Sequence, residues 1–423
     1  MSEHPVQLVV EDDLKRNRLT VFFRLILAIP HFIWAFLWSI AVFFAAIANW
    51  VVTLATGRPA PSLHRFLSSY VRYLAHLYAY LWLVANPYPG FVGEEGEYPI
   101  DVRLPPPQPQ ARAKTLVRIV LALPALVLAT VLGSAGGFAS GSRRGGSRSQ
   151  SFGYNASGLG IAVAVLGWFS SLARGRMPKG LRDAGAFAVG YNAQAFAYLL
   201  LLTDRYPNAD PTAMLDGVER PPVHPVHLVG DAHDLRRSRV TVFFRILLAL
   251  PHVVWLALWS IAAIVVAILN WFATLFSGTP PRSFHQFLSR FIRYGLHVSA
   301  FIYLAANPFP GFTGEAGTYP LDLVLPERAR QNRWKTGFRL FLAIPAAIVN
   351  SALGSALIAA AFFTWFVALV RGSAPWGLRN LSAYALRYGA QMNAYFLLLT
   401  DAYPHASPLE GEAPAEQAFV EAA

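Results

Sequence analysis

Cysteine is absent from all 423 residues, which excludes disulfides, thiol catalysis and thiolate metal sites on whichever side of a membrane the chain lies. Charge is scarce as well. Only 14% of residues are charged against 55% hydrophobic, too apolar a balance for an ordinary soluble domain and one that points to a membrane protein. The opening stretch, 1-MSEHPVQLVVEDDLKRNR-18, lacks a basic head, a short apolar run and a small-residue cleavage site, so it reads as mature. Glycine-rich phosphate loops, G-x-S-x-G elbows and paired carboxylates inside apolar runs are missing. His64 and His76 stand twelve apart, as do His285 and His297, which is not the spacing of helical metal ligands. No enzyme, metal or cofactor is expected from these patterns. The net charge of +12 and the basic run 143-RRGGSR-148 suit anionic lipid headgroups rather than nucleic acid.

What is present is repetition. The stretch 18-RLTVFFRLILAIPHFIWAFLWSI-40 returns as 239-RVTVFFRILLALPHVVWLALWSI-261, and 14–104 aligns with 235–325 without a gap at about half identity. Each half is itself a weaker repeat, because 114-KTLVRIVLALP-124 echoes 20-TVFFRLILAIP-30. Four modules result: A1 and B1 in a first membrane repeat over 1–220, and A2 and B2 in a second over 221–406, before an acidic disordered tail at 407–423. Every module carries an apolar segment of about 35 residues, a short turn (57-GRPAPS-62, 175-GRMPKG-180, 278-GTPPRS-283, 372-GSAPWG-377) and a second helix of about 24 residues. An uncharged run of 24 residues such as 32–55 is long enough to cross a hydrocarbon core of about 30 Å. The expected fold class is therefore an all-α integral membrane protein. It has about eight transmembrane helices in four two-helix units, with both repeats inserted the same way up.

Strand-like patterns at 5-PVQLVV-10, 98-YPIDVRL-104, 225-PVHLVG-230 and 319-YPLDLVL-325 predict one small four-stranded sheet on the side carrying the termini. With the turns placed on the opposite side, every acidic residue except Asp183 falls on the terminus side. Lys15, Arg16 and Arg18 before the first span favour cytoplasmic termini. A Gly/Ser/Arg insertion, 138–158, occurs in B1 alone and falls inside the apolar segment, where lipid forbids unpaired backbone.

Two sets of polar residues stand out within the apolar pattern. The first is a stripe on the second helices: Arg72 and His76, Gln194, Arg293 and His297, Arg387 and Gln391. Ionisable groups at such depth are candidates for an anion path or a proton relay, while the plainer reading is polar glue between helices. The second set pairs an arginine with a proline six residues later: Arg24 and Pro30, Arg118 and Pro124, Arg245 and Pro251, Arg339 and Pro345. Its fourfold recurrence predicts a structural clamp, with the arginine on carbonyls freed by the proline and the proline breaking the segment. His31 and His252 occur only in the A modules and read as cap-like partners.

The pattern R-x5-P, a G-x-x-P turn and a helix ending A-Y-x-L-L-x-T-D-x-Y-P resembles the bacterial membrane family catalogued as domain of unknown function 4389. The residues that carry it are Arg118–Pro124 with Ala197–Pro207 and Arg339–Pro345 with Ala394–Pro404. The A modules depart with 85-ANPYPGF-91 and 305-AANPFPGF-312. The resemblance, in two tandem copies, implies a multi-pass protein of the bacterial plasma membrane and carries no activity with it. A non-enzymatic scaffold or accessory protein of the cell envelope is the expected role. The alternative is a transporter or channel for an anionic or lipidic solute that uses the Arg/His stripe.

Overall fold

The computed structural model describes residues 3–133, 158–230 and 235–411. The insertion at 138–158 lies outside the described residues except for Gly158. The chain divides into two compact units, Met1–Ala209 with Ala213–Asp216, and Asp210–Thr212 with Gly217–Ala423. It is mostly helical with two small sheets.

In unit 1 the elements run β1 (Gln7–Val10), α1 (Arg18–Phe22), α2 (Arg24–Leu27), α3 (Ile29–Thr56), α4 (Pro61–Leu81) and β2 (Ile100–Arg103), which together form module A1. Module B1 follows with α5 (Arg112–Leu116), α6 (Arg118–Gly133), α7 (Leu159–Arg174) and α8 (Lys179–Leu199), and the short α9 (Pro211–Met214) leads on. Unit 2 repeats the order as β3 (His227–Val229), α10 (Arg239–Phe243), α11 (Arg245–Ser277), α12 (Arg282–Ile302) and β4 (Asp322–Val324). Its second module holds α13 (Arg333–Gly337), α14 (Arg339–Arg371) and α15 (Trp376–Phe396).

Among the described residues three helices are long and apolar enough to cross a membrane: Arg24–Thr56, Arg245–Ser277 and Arg339–Arg371. In B1 the described residues include two shorter apolar helices, α6 and α7. The expected eight crossings are not seen, because the second helices α4, α8, α12 and α15 are much more polar. They form the protein interior. Of α8, for example, Arg182 through Ala195 is buried without a break, and α4 and α8 pack on each other with α3 against α4 and α6 and α7 against α8.

The long helices show the reverse of a soluble amphipathic pattern. On α3 the buried positions are His31, Val42, Asn49 and Thr53, while Phe32, Ile33, Phe36, Leu37, Phe43 and Phe44 are exposed. On α11 the same stripe is His252, Ala263, Asn270 and Thr274. The histidines and asparagines of the stripe meet partners inside their units, whereas the Thr53 and Thr274 hydroxyls have none among the described residues. Nδ1 of His31 lies 3.0 Å from the Tyr73 hydroxyl, and the Asn49 amide donates to Leu200 O at 3.1 Å.

A break falls one residue before the arginine in every module, and A1 has a second one at Ala28, two residues before Pro30. Phe23, Val117, Phe244 and Phe338 leave helical geometry with ψ between 7° and 14°, closing the five-residue lead-in helices. Pro124, Pro251 and Pro345 sit inside continuous helices, and Pro30 lies in the first turn of α3. In the first turn the amide that Pro30 lacks leaves little unsatisfied, whereas Pro124, Pro251 and Pro345 each withhold an amide from the carbonyl four residues earlier, on Val120, Leu247 and Phe341.

The turns also lie elsewhere than expected. Gly57 O, at the end of α3, accepts from Gln110 N, the lead-in to B1, at 2.9 Å. Gly175 O, at the end of α7, accepts from Arg16 N, the lead-in to A1, at 2.9 Å. Gly278 and Gln331, and Gly372 and Arg237, repeat this in unit 2 at 2.8 Å each. Turns and lead-ins therefore share a face, and the two modules of a unit run in opposite directions. Val84, past the end of α4, sits where a Cβ on Gly185 near the start of α8 would fall, so α4 and α8 are antiparallel.

The predicted four-stranded sheet is two separate pairs, β1 with β2 in register Gln7↔Arg103 and β3 with β4 in register His227↔Val324, both antiparallel. Each pair packs on the second helices of its own unit. The acidic tail starts later than 407, because Ser407 and Leu409 are buried and Arg387 bonds both Ser407 O and Glu410. Residues 412–423 lie outside the described part.

Candidate functional site

The four arginines of the Arg/Pro pairs are among the most buried side chains of the protein, with Arg118, Arg245 and Arg339 below 2% relative exposure. A guanidinium cannot shed its charge, so such a site must meet most of its donors, and in all four the Nη atoms are bonded while Nε has no hydrogen-bond partner among the described residues. Arg24 gives Nη1 to Tyr80 O at 2.5 Å and Ala85 O at 3.1 Å, and Nη2 reaches Asn86. Arg245 copies this with Phe301 O, Ala306 O and Asn307. In the B modules a carboxylate replaces the asparagine. Arg118 bonds Asp204 at 2.9 Å, Gln110 Oε1 at 2.5 Å and Thr203 O at 3.4 Å, and Arg339 bonds Asp401, Gln331 and Thr400 in the same way. All four guanidinium groups lie over an aromatic ring at the end of the second helix, 4.1 to 4.4 Å from its centroid.

The arginines hold main-chain carbonyls, but not those next to the prolines. These carbonyls belong to the C-terminus of the second helix and the chain beyond, where orphan acceptors collect and the helix dipole favours a cation. That chain bends through a left-handed leucine in every module: Leu83, Leu201, Leu304 and Leu398, with φ of 61° to 63°. The conformation costs about 1 to 2 kcal/mol. Burying each leucine almost fully offsets it by a similar amount. The leucine carbonyl then receives the lead-in side chain, Leu83 O from Arg16 at 2.9 Å and Leu201 O from Gln110 at 2.5 Å.

The polar stripe makes a second set of latches. Arg72 donates to Val102 O at 3.1 Å, Gly93 O at 3.2 Å and Glu95 at 2.9 Å, and His76 Nε2 lies 2.8 Å from Asp101. Arg293 and His297 hold Leu323 O, Gly314 O and Asp322. In the B modules Gln194 bonds Val6 O at 3.0 Å and accepts from Asn208 N at 2.9 Å, while Gln391 bonds Val226 O and His405 N. All seven stripe residues are thus brought onto the strands and the loops after the second helices. Within each A module the arginine and the histidine meet on one carboxylate, Asp101 in unit 1 and Asp322 in unit 2. Arg387 and Gln391 border a small cavity of about 40 Å³ with His224 and His227, room for a few waters at most.

Burial works against the charge on Asp101, but hydrogen bonds from His76, Gly96 N and Val102 N outweigh it and hold the carboxyl below its ordinary value. Asp322 behaves alike. The strands begin on a histidine: Val6 N donates to His4 Nδ1 at 3.2 Å, and Val226 N to His224 Nδ1 at 3.0 Å. Burial lowers His4 from 6.5 to about 4 and pushes His224 down as well. Both rings stay neutral in the fold and take a proton in the unfolded chain below pH 6.5. The stability they contribute is therefore complete above that pH and is lost as the pH falls towards about 4. Thermal unfolding across this range should show the loss, and a His4→Asn/His224→Asn variant should have a flatter pH profile. An equally steep profile in that variant would remove the histidines from the account.

Among the described residues no group of three or more His, Asp or Glu is placed to hold a metal. The model of the family described as "Domain of unknown function (DUF4389)" matches the chain four times, at 18–92, 153–209, 239–313 and 333–407. The chain belongs to the DUF4389 family. Each match covers a turn and a second helix, so the DUF4389 motif is the single module rather than the repeat of two, and the A modules match despite their departure at NPYP and NPFP. No curated protein and no solved structure matches. The residues that sequence reasoning missed are the acceptors, Asp101, Asp204, Asp322 and Asp401, with Gln110 and Gln331, and Asp12, which pairs with Arg16 at 2.8 Å. For Asp204 and Asp401 a signal existed, since both stand in the T-D-x-Y-P end of the DUF4389 pattern opposite the recurrent arginine.

Proposed function

We propose that this DUF4389 protein is a non-enzymatic scaffold or accessory component embedded in the bacterial plasma membrane, in contact with anionic lipid headgroups. The observation that carries the reading is the use of its ionisable residues: Arg72, His76, Arg293 and His297 are spent on fixing loops to helices. Exposed apolar side chains crowd the long helices and leave a surface suited to lipid. The transporter reading needs the stripe to face a path, and its members engage backbone and carboxylates within their own units instead.

Arg72→Gln and Arg293→Gln test this. Each removes a latch in a different unit, so each should lower thermal stability by about 1 to 3 kcal/mol per unsatisfied group, and the double variant should show the sum. Proteoliposomes carrying the wild type should release chloride and phosphate no faster than empty vesicles. Release that either variant abolishes at undiminished stability would make the protein a transporter.

A further inference from the structure

The long helices exceed the membrane they would cross. Arg24–Thr56 and its counterparts are 33 residues each, about 50 Å at helical rise. Fitting that length into a hydrocarbon core of about 30 Å needs a tilt of roughly 50°, beyond the 0–40° that spanning helices adopt.

The rest of unit 1 opposes spanning more strongly. Non-helical chain runs its whole length, from the Gly175 end to the Gly57 end and back. Residues 84–110 leave Leu83, which Arg16 holds at the Gly175 end, pass over α4 at Gly93, continue as β2 and reach Gln110 beside Gly57. The N-terminal segment returns the other way: Arg205, past the end of α8, bonds Glu3 O at 2.8 Å, and β1 then leads to Arg16. Exposed Glu94, Glu95, Glu97 and Arg103 line the first of these paths, with the Glu95 side chain 57% exposed. With the two ends on opposite sides of a bilayer, this backbone and these carboxylates would stand at hydrocarbon depth, where neither is tolerated facing lipid.

The stretch around Tyr88 and Phe91 touches the start of α3, where His31 stacks on Phe91 and Trp34 Nε1 donates to Phe91 O at 2.8 Å; the strands beyond it lie on the other helices. The β1–β2 pair packs on α4 and α8. Asn192, two residues from Gln194 and so on the far side of α8, donates to Ala129 O of α6. The charge pattern agrees. Lys15, Arg18 and Arg174 are exposed at the Gly175 end, and Arg58, Arg112 and Lys114 at the Gly57 end. A spanning unit distinguishes its two ends by cation content, and this one does not.

We propose that each unit lies flat in a single leaflet, its long apolar helices parallel to the membrane plane among the acyl chains, its basic ends at anionic headgroups and its strand face in water. The proposal rests on the membrane reading above and replaces crossing by in-plane immersion. Asp13 and Ser62 mark the two ends, both are exposed, and the chain has no native cysteine. Asp13→Cys and Ser62→Cys variants, treated separately with a membrane-impermeant maleimide in right-side-out and in inside-out vesicles, should label from one and the same side. Labelling from opposite sides overturns in-plane immersion and leaves the membrane reading standing. Release of the protein from membranes by alkaline carbonate overturns the membrane reading itself.

Discussion

Replacing Arg118 with Met should destabilise unit 1 by about 3 to 5 kcal/mol, the cost of removing one partner from a buried ion pair. The change leaves Asp204 Oδ1 and Gln110 Oε1 without the guanidinium and strips the Tyr198 ring of its cation. Arg118→Lys should recover only part, because an ammonium is a single point of charge and cannot fork across Gln110 and Asp204. Asp204→Asn is the informative control. The A modules already place an asparagine at this point, Asn86 beneath Arg24 and Asn307 beneath Arg245, so this change should cost far less than loss of the arginine. Denaturant unfolding in detergent reads all three. An Arg118→Met protein within 1 kcal/mol of wild type would mean that the clamp is ornamental.

The second large effect is expected at Gly93. Its backbone is left-handed, φ 70°, and an added Cβ would lie 2.2 Å from Ser69 O and 2.7 Å from Tyr73 N, main-chain atoms of α4 that cannot rotate away. Gly93→Ala should therefore cost about 3 kcal/mol, combining the left-handed penalty with overpacking. The loss should be local at first: the loop lifts from α4, Arg72 loses Gly93 O, and hydrogen exchange rises along β2 while α8 remains protected. Gly314 meets Arg290 O at 2.3 Å and should behave the same way in unit 2. In contrast, Gly96→Ala meets nothing within 4 Å and pays only for its φ of 82°. Equal stability of the Gly93 and Gly96 variants would refute the close approach.

The repeats, the turns, the apolar helices and the arginine clamp were all legible, because each recurs and recurrence at fixed spacing is visible in one sequence. Direction was not. The sequence places Gly57 and Gln110 more than fifty residues apart with α4 and β2 between them, and nothing in hydropathy tells whether α4 crosses a bilayer or lies under a sheet. Its composition held a hint: α4 carries Arg65, Arg72, His64 and His76 within twenty-one residues, too many polar groups for a lipid-facing helix. The stripe was read correctly as a line of polar residues, but its partners come from strands that chain order separates from it. His76 meets Asp101 and Gln194 meets Val6, pairs that only the tertiary fold brings together.

The reciprocal bonds between turns and lead-ins have a consequence for how such chains can grow. Module A1 offers its turn carbonyl at Gly57 to B1, and B1 offers its own at Gly175 to A1, so neither closes alone. The smallest self-sufficient piece is a couple of modules, and length should increase by couples. A relative with an odd number of modules would expose one open turn and one unmatched lead-in, the two halves of a joint that a second chain could complete.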